Sequence, residues 1–298
     1  MSPEHVAGIW PMLYAFFDSQ GRLDRAAMRR QVEIAAASDA AGVAILGLAT
    51  EVAKLSTAER RTVLDWTAED LRGRKPLAVT IAESSVAGQV EFARAAHQAG
   101  AGFVILQPPP VKGLPEAEYL DFFAAVAAGA PLPVAIQNAP DYIGIGLSRE
   151  GLIALNRRQP NVALLKAEAP ALAVRSLIEQ AAGGFRVLNG RGGLELPDNR
   201  RAGCVGMIPG GECYDLQARI WRLLEQGQER EAEALYASIL PLILFLMQSM
   251  DQFLCYGKRL AARRLGLGPV QDRAPAMRPS EFGLAMLERL GGALPVFP

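Results

Sequence analysis

Lys166 closes the apolar run Val162-Ala163-Leu164-Leu165, and Glu168 follows two residues later. An amine that has lost its proton can attack a carbonyl and form a Schiff base, chemistry that arginine cannot do. The chain has 5 lysines among its 31 basic residues, so a lysine kept at this place is chemically informative. Apolar surroundings disfavour the ammonium and lower its pKa, as a nucleophilic amine requires. From spacing alone two readings stand: a reactive amine, or the end of a strand with its head in water. Glu168, if the chain stays extended, lies on the same side as Lys166. It then holds the lysine and moves protons beside it, or else it opens a helix whose dipole favours a carboxylate.

Other clusters offer binding groups. Gln137-Asn138-Ala139-Pro140 presents two amides suited to orienting hydroxyls, although Asn-x-Pro is also ordinary turn chemistry. Gly190-Arg191-Gly192-Gly193 and Pro209-Gly210-Gly211-Glu212 are glycine-rich turns of the kind that cradle an anion, and Arg191 also suits a carboxylate partner. Histidine occurs only at His5 and His97. That excludes a three-histidine zinc site, and neither residue adjoins a GxSxG elbow. Cys204, Cys213 and Cys255 form no CxxC pair, as in a reducing compartment without disulfides. No metal ligand set is expected.

These residues need a frame. Eight short β-rich apolar runs alternate with Ala/Arg/Glu-rich segments: Gly8–Met12, Val43–Gly47, Leu77–Ile81, Phe103–Leu106, Val134–Gln137, Val162–Lys166, Arg186–Asn189 and Gly203–Ile208. The runs do not alternate apolar with polar, as expected for parallel strands covered on both faces. Arg25 to Ala37 puts Met28, Val32 and Ala35 on one face, which predicts a helix. Ser56-Thr57-Ala58-Glu59 has the form of a capping box, and Ser148 with Gly151 opens another helix. No linker interrupts the alternation, and neither GxGxxG nor a Walker loop follows an early run. The pattern predicts one α/β fold, a (β/α)8 barrel over residues 1–212. Residues 213–298 are then the closing helix and a C-terminal helical extension, in segments Tyr214–Glu225, Glu229–Met250, Gln252–Arg264 and Pro279–Leu290. In such a barrel the chemistry lies at the carboxyl ends of the strands. Tyr14, Thr50, Glu51, Gln107, Gln137, Tyr142, Lys166, Glu168, Arg191 and Glu212 all fall there.

Composition narrows the class. Thirty-one basic and 31 acidic residues give a formal net charge of zero in 298 residues, without the basic stripe of a nucleic-acid binder. The most apolar stretch, Ile239 to Met250, contains Pro241 and Gln248 and reads as a buried helix, too short to span a bilayer. No signal peptide is visible. A cytoplasmic protein with no membrane partner is expected.

With these residues in place, the sequence resembles the dihydrodipicolinate synthase / N-acetylneuraminate lyase family of class I aldolases over nearly its whole length. The resemblance runs through Gly8-Ile9-Trp10-Pro11-Met12, Gly47 to Glu51 with Leu55 and Glu59, Asn138-Ala139-Pro140, Lys166, and Gly203 to Ile208. It implies a barrel with a helical extension, a homotetramer built as a dimer of dimers, no cofactor, and an imine between Lys166 and a small 2-keto acid substrate. It also exposes departures. The family's Gly-Thr-Thr carboxylate loop reads Gly47-Leu48-Ala49, followed by Thr50. The family's strand-4 and strand-5 tyrosines are replaced by Gln107-Pro108-Pro109-Pro110 and by Gln137, so the hydroxyl relay of the typical synthases and lyases is absent.

The motifs Gln-Asn-Ala-Pro, Lys-Ala-Glu, Ile-Pro-Gly-Gly-Glu and Tyr256-Gly257-Lys258-Arg259 resemble the branch that handles 2-keto-3-deoxy sugar acids. The resemblance then implies a dehydratase, with Lys166 as nucleophile and Glu168 as acid/base. Gln137 and Asn138 would hold hydroxyls. Leu48, Ala49 and Thr50 would hold the carboxylate, and Arg191 and Gly210 would complete the substrate site. Two other readings stand beside it: an aldolase on the same scaffold, and a non-catalytic metabolite-binding barrel.

Overall fold

The computed structural model describes residues 1–297. Its strands are β1 (Gly8–Ile9), β2 (Val43–Ile45), β3 (Leu77–Ile81), β4 (Phe103–Leu106), β5 (Val134–Asn138), β6 (Leu164–Ala167), β7 (Arg186–Asn189) and β8 (Gly206–Met207). All neighbours are parallel, in the order β1-β8-β7-β6-β5-β4-β3-β2. The first and second strands meet just beyond β1. Met12 bridges to Ala44, and the Ala44 amide donates to Pro11 O at 3.0 Å while its carbonyl accepts from Leu13 N at 2.9 Å. The sheet is thereby closed into the expected (β/α)8 barrel. Every residue of β2, β3 and β4 is buried, which is why these strands lack polar alternation.

Helices α1 (Arg25–Ala37), α2 (Thr57–Leu71), α3 (Val86–Gln98) and α4 (Glu116–Gly129) follow the first four strands. The short α5 (Pro140–Ile143) and then α6 (Arg149–Arg158) follow β5, while α7 (Ala171–Ala181) and α8 (Leu196–Ala202) follow β6 and β7. The caps are those the sequence advertised. Ser56 Oγ accepts from Glu59 N at 3.2 Å, and Glu59 returns to Ser56 N at 2.9 Å. Ser148 Oγ accepts from Gly151 N at 3.0 Å.

Several strands are shorter than the apolar runs. Leu46 turns to φ 61°, so β2 ends before Gly47. Gly203, at φ 102°, ends α8 instead of beginning β8, as glycine commonly does after a helix. Val162 closes a turn through its amide to Gln159 O at 2.9 Å, so β6 begins at Leu164.

The C-terminal extension comprises α9 (Tyr214–Glu225), α10 (Glu229–Leu246), α11 (Met250–Gln252), α12 (Lys258–Arg264) and α13 (Glu281–Gly291). The helix expected over Glu229–Met250 stops at Leu246. Ser249 Oγ accepts from Gln252 N at 3.0 Å and restarts the chain, which passes through a π-helical turn, Phe253–Gly257, into α12. Ile239, Leu242, Ile243 and Leu246 are buried. No single helix among the described residues is long and apolar enough to cross a membrane; α10 and the following segment pass that test only as a pair bent by 109°.

Candidate active site

β6 carries Lys166 into the barrel mouth. In register it faces Gln137 of β5 on one side and Leu188 of β7 on the other. The ladder continues past the end of β6, since Glu168 N donates to Asn138 O at 3.2 Å. Two residues of extended chain therefore place Glu168 on the face of Lys166. Lys166 Nζ lies 2.8 Å from Glu168 Oε1, and the two side chains are only 4% and 6% exposed. Enclosure of both charges makes each the other's main electrostatic partner.

Glu168 is held from two further directions. Gln137 Nε2 donates to Oε1 at 3.1 Å, and the Arg191 amide donates to Oε2 at 3.0 Å. Gln137 is in turn oriented by Gln107, whose Nε2 donates to Gln137 Oε1 at 2.9 Å. The strand-4 and strand-5 positions thus carry a hydrogen-bonded pair of amides that ends on the carboxylate.

Lys166 and Glu168 open into a pocket with about 350 Å³ of empty space, its open mouth included, lined also by Leu48, Ala49, Arg191, Gly210, Met12, Ile208, Met247 and Phe253. Among the described residues, the amides of Leu48, Ala49 and Thr50 donate to no protein acceptor. A turn with free amides beside a buried amine suits a carboxylate. Arg191, at φ 53°, projects from the β7 turn and pairs with Glu195.

Two expected binding side chains are not brought into the pocket. Thr50 Oγ1 donates to Leu13 O at 2.6 Å, and the residue has no exposed surface. Its hydroxyl braces the chain that follows β1, which leaves only its backbone amide to face an anion. Asn138 alternates with Gln137 and so points outside the barrel, where it clamps Leu147 through bonds of 2.7 and 3.0 Å. Both histidines are exposed.

The structure also groups residues to which the sequence assigned no role. Tyr14 OH donates to Glu212 Oε2 at 2.8 Å across β1 and β8, directly behind Gly210. Burial raises the Glu212 pKa, against the Tyr14 hydrogen bond, which lowers it. Glu51 receives Lys54 at 2.6 Å and also Lys258, the residue that opens α12. Burial pushes Lys258 below its usual pKa, against the pull of Glu51. Tyr142, in α5, faces the Arg191 side chain within the field of Glu168. Burial and the Glu168 charge raise its pKa, so it stays protonated at neutral pH. Tyr14, Glu51, Tyr142 and Glu212 were legible as residues at strand ends; their pairings across the barrel were not. The Met247 and Phe253 wall had only the apolar run before it as a signal.

The barrel thus presents an enclosed lysine–carboxylate pair at the carboxyl end of its sixth strand. The model of the dihydrodipicolinate synthetase family matches residues 5–282. The chain belongs to that family, whose members are class I aldolase-type lyases forming Schiff bases. It is 31% identical over 252 residues to L-2-keto-3-deoxyarabonate dehydratase of Azospirillum brasilense, covering 81% of this chain and 80% of that protein. It is 26% identical over 238 residues to 4-hydroxy-tetrahydrodipicolinate synthase of Methanococcoides burtonii, covering 79% and 81%. Among solved structures, dihydrodipicolinate synthase from Agrobacterium tumefaciens superposes with a TM-score of 0.88 at 25% identity, covering 98% of this chain and 99% of that one.

Proposed function

We propose that the protein dehydrates a 2-keto-3-deoxy sugar acid, L-2-keto-3-deoxyarabonate, to 2,5-dioxopentanoate. The observation that carries this reading is the Lys166–Glu168 pair at 2.8 Å, with glutamines at the strand-4 and strand-5 positions. It is supported by the 31% identity to a dehydratase of that substrate.

In this mechanism Lys166 passes a proton to Glu168, the freed amine attacks the C2 ketone, and Glu168 returns that proton to the departing oxygen, which leaves as water; the resulting iminium acidifies C3. Glu168 accepts the C3 proton, and the C–H electron pair forms the enamine C2=C3 bond. Collapse of the enamine forms C3=C4 and expels the C4 hydroxyl, which takes a proton and departs as water. Tyr142, a protonated hydroxyl beside Arg191, supplies that proton. The Tyr142 phenolate takes a C5 proton, the resulting enol proton shifts to C4, Glu168 returns its proton to C3 to give the C5 aldehyde, and hydrolysis of the imine frees Lys166. The free amides of Leu48, Ala49 and Thr50 hold the carboxylate, and Arg191 and Gly210 border the sugar chain.

The test is incubation with 2-keto-3-deoxy acids and borohydride, followed by mapping of the adduct by mass spectrometry and analysis of the products. An adduct on Lys166 together with 2,5-dioxopentanoate is expected. Full activity in Lys166→Arg, with no adduct, would defeat the Schiff-base reading. Pyruvate as a product would favour the aldolase reading instead, for which the synthase relatives speak. We also propose a cytoplasmic dimer of dimers; Leu172, 86% exposed at the start of α7, and the exposed Val111 and Leu114 suit subunit contacts. Sedimentation as a monomer would remove that proposal.

A further inference from the structure

The two glutamines form a chain with a direction. A carboxylate accepts hydrogen bonds only, so Glu168 requires Gln137 to turn its NH₂ inward. Gln137 then presents its oxygen outward, and that oxygen selects the NH₂ of Gln107. Every donor in the series points toward Glu168. The outer end is the side-chain oxygen of Gln107, Oε1. Among the described residues it accepts no hydrogen bond, and it is not one of the atoms sealed from solvent. The Gln107 backbone is fixed, its amide donating to Ile81 O at 3.0 Å and its carbonyl accepting from the buried Gln89 at 2.9 Å. Only its side chain can adjust.

We infer that Gln107 receives a hydroxyl of the bound substrate and passes that contact through Gln137 to Glu168. The inference rests on the reading that Lys166 binds a 2-keto acid. A hydroxyl donated to Gln107 Oε1 polarises the amide and strengthens its N–H bond to Gln137, which strengthens the bond to Glu168 in the same way. The chain makes two demands at once. It favours a 2-keto acid with a hydroxyl beyond C3 over pyruvate, which has none, and it holds Glu168 as a proton acceptor when such an acid is bound. Gln107 is therefore a specificity residue toward the hydroxyl and a positioning residue toward Glu168.

Borohydride trapping at Lys166 reads the first demand without requiring dehydration. The half-saturating concentration is measured for pyruvate and for a 2-keto-3-deoxy acid in wild type, Gln107→Leu and Gln107→Glu. Gln107→Leu should reduce the preference for the hydroxylated acid by roughly 3–10-fold, the worth of one neutral hydrogen bond. Gln107→Glu retains an acceptor for the hydroxyl and should keep most of that preference. It cannot donate to Gln137 as a carboxylate, so the acidic limb of C3 deuterium exchange should move to higher pH. Equal losses for both acids in Gln107→Leu, or no loss for either, would overturn the hydroxyl contact. An unmoved pH limb in Gln107→Glu would overturn the link to Glu168. A wild-type protein that forms no Lys166 adduct with any 2-keto acid would overturn the Schiff-base reading and this inference with it. Adducts without dehydration would overturn only the proposed product.

Discussion

Glu168 Oε2 occupies the space that a Cβ on Gly190 would need. A methyl there would collide with that oxygen and lie 2.6 Å from the carboxyl carbon. A glycine at the start of the β7 turn therefore lets the carboxylate settle against the Arg191 amide at 3.0 Å while its other oxygen meets Lys166 at 2.8 Å. Glu168 is held at both oxygens, and the turn is shaped to receive it.

Gly190→Ala should displace Glu168, because the atom it meets is the end of a side chain and not backbone. A displacement of about 1 Å at a catalytic group costs roughly 10²-fold in rate. Turnover and crystal geometry of the variant check this, with thermal melting as the control for folding. Wild-type turnover would show that the contact has no catalytic consequence.

Glu168→Gln keeps the size and shape of the side chain, replaces one accepting oxygen with an NH₂ donor, and removes the base. Borohydride should still trap a keto acid on Lys166, while C3–H exchange falls by about 10²–10⁴-fold, the usual worth of general base catalysis. Exchange at the wild-type rate would assign the base elsewhere.

Glu212 gives a pH signature in stability. Its folded pKa is raised above the ordinary 4.5 by burial. The folded state then binds the proton more tightly than the unfolded chain does. Its contribution is full below the unfolded pKa and is lost as pH rises through the folded value. Glu212→Gln keeps an oxygen for the Tyr14 hydroxyl and carries no charge. The variant should melt higher than wild type at pH 8, with the difference shrinking toward pH 4. A difference independent of pH would contradict the raised pKa.

Gly206→Ala tests closure of the barrel. Its Cβ would fall 2.1 Å from the Gly8 carbonyl oxygen and 2.8 Å from the Gly8 nitrogen, in the register where β1 pairs with β8. Backbone cannot yield as a side chain does, so the cost should reach about 3 kcal/mol. That corresponds to a fall of roughly 5–10 °C in melting temperature. A melting point within one degree of wild type would mean that the strands separate without penalty.

Much of this protein was decided along the chain. Apolar runs alternating with helical segments impose a parallel sheet covered on both faces, and Ser56, Ser148 and Asp24 cap their helices through bonds spanning two or three residues. Lys166 and Glu168 were legible as a pair because a strand returns to the same face every second residue. The same alternation sent Asn138 outside when Gln137 went in, a phase that composition alone did not fix. What only the tertiary structure decided lies between strands. Gln107 meets Gln137 across 30 positions, Tyr14 meets Glu212 across 198, and Glu51 meets Lys258 across 207. Such contacts depend on strand register and barrel closure, which bring distant residues together whatever their separation in sequence. The sequence supplied the amine, the carboxylate and the absence of tyrosines at two strand ends. Closure of the barrel turned the replacing glutamines into a directed chain that ends on Glu168.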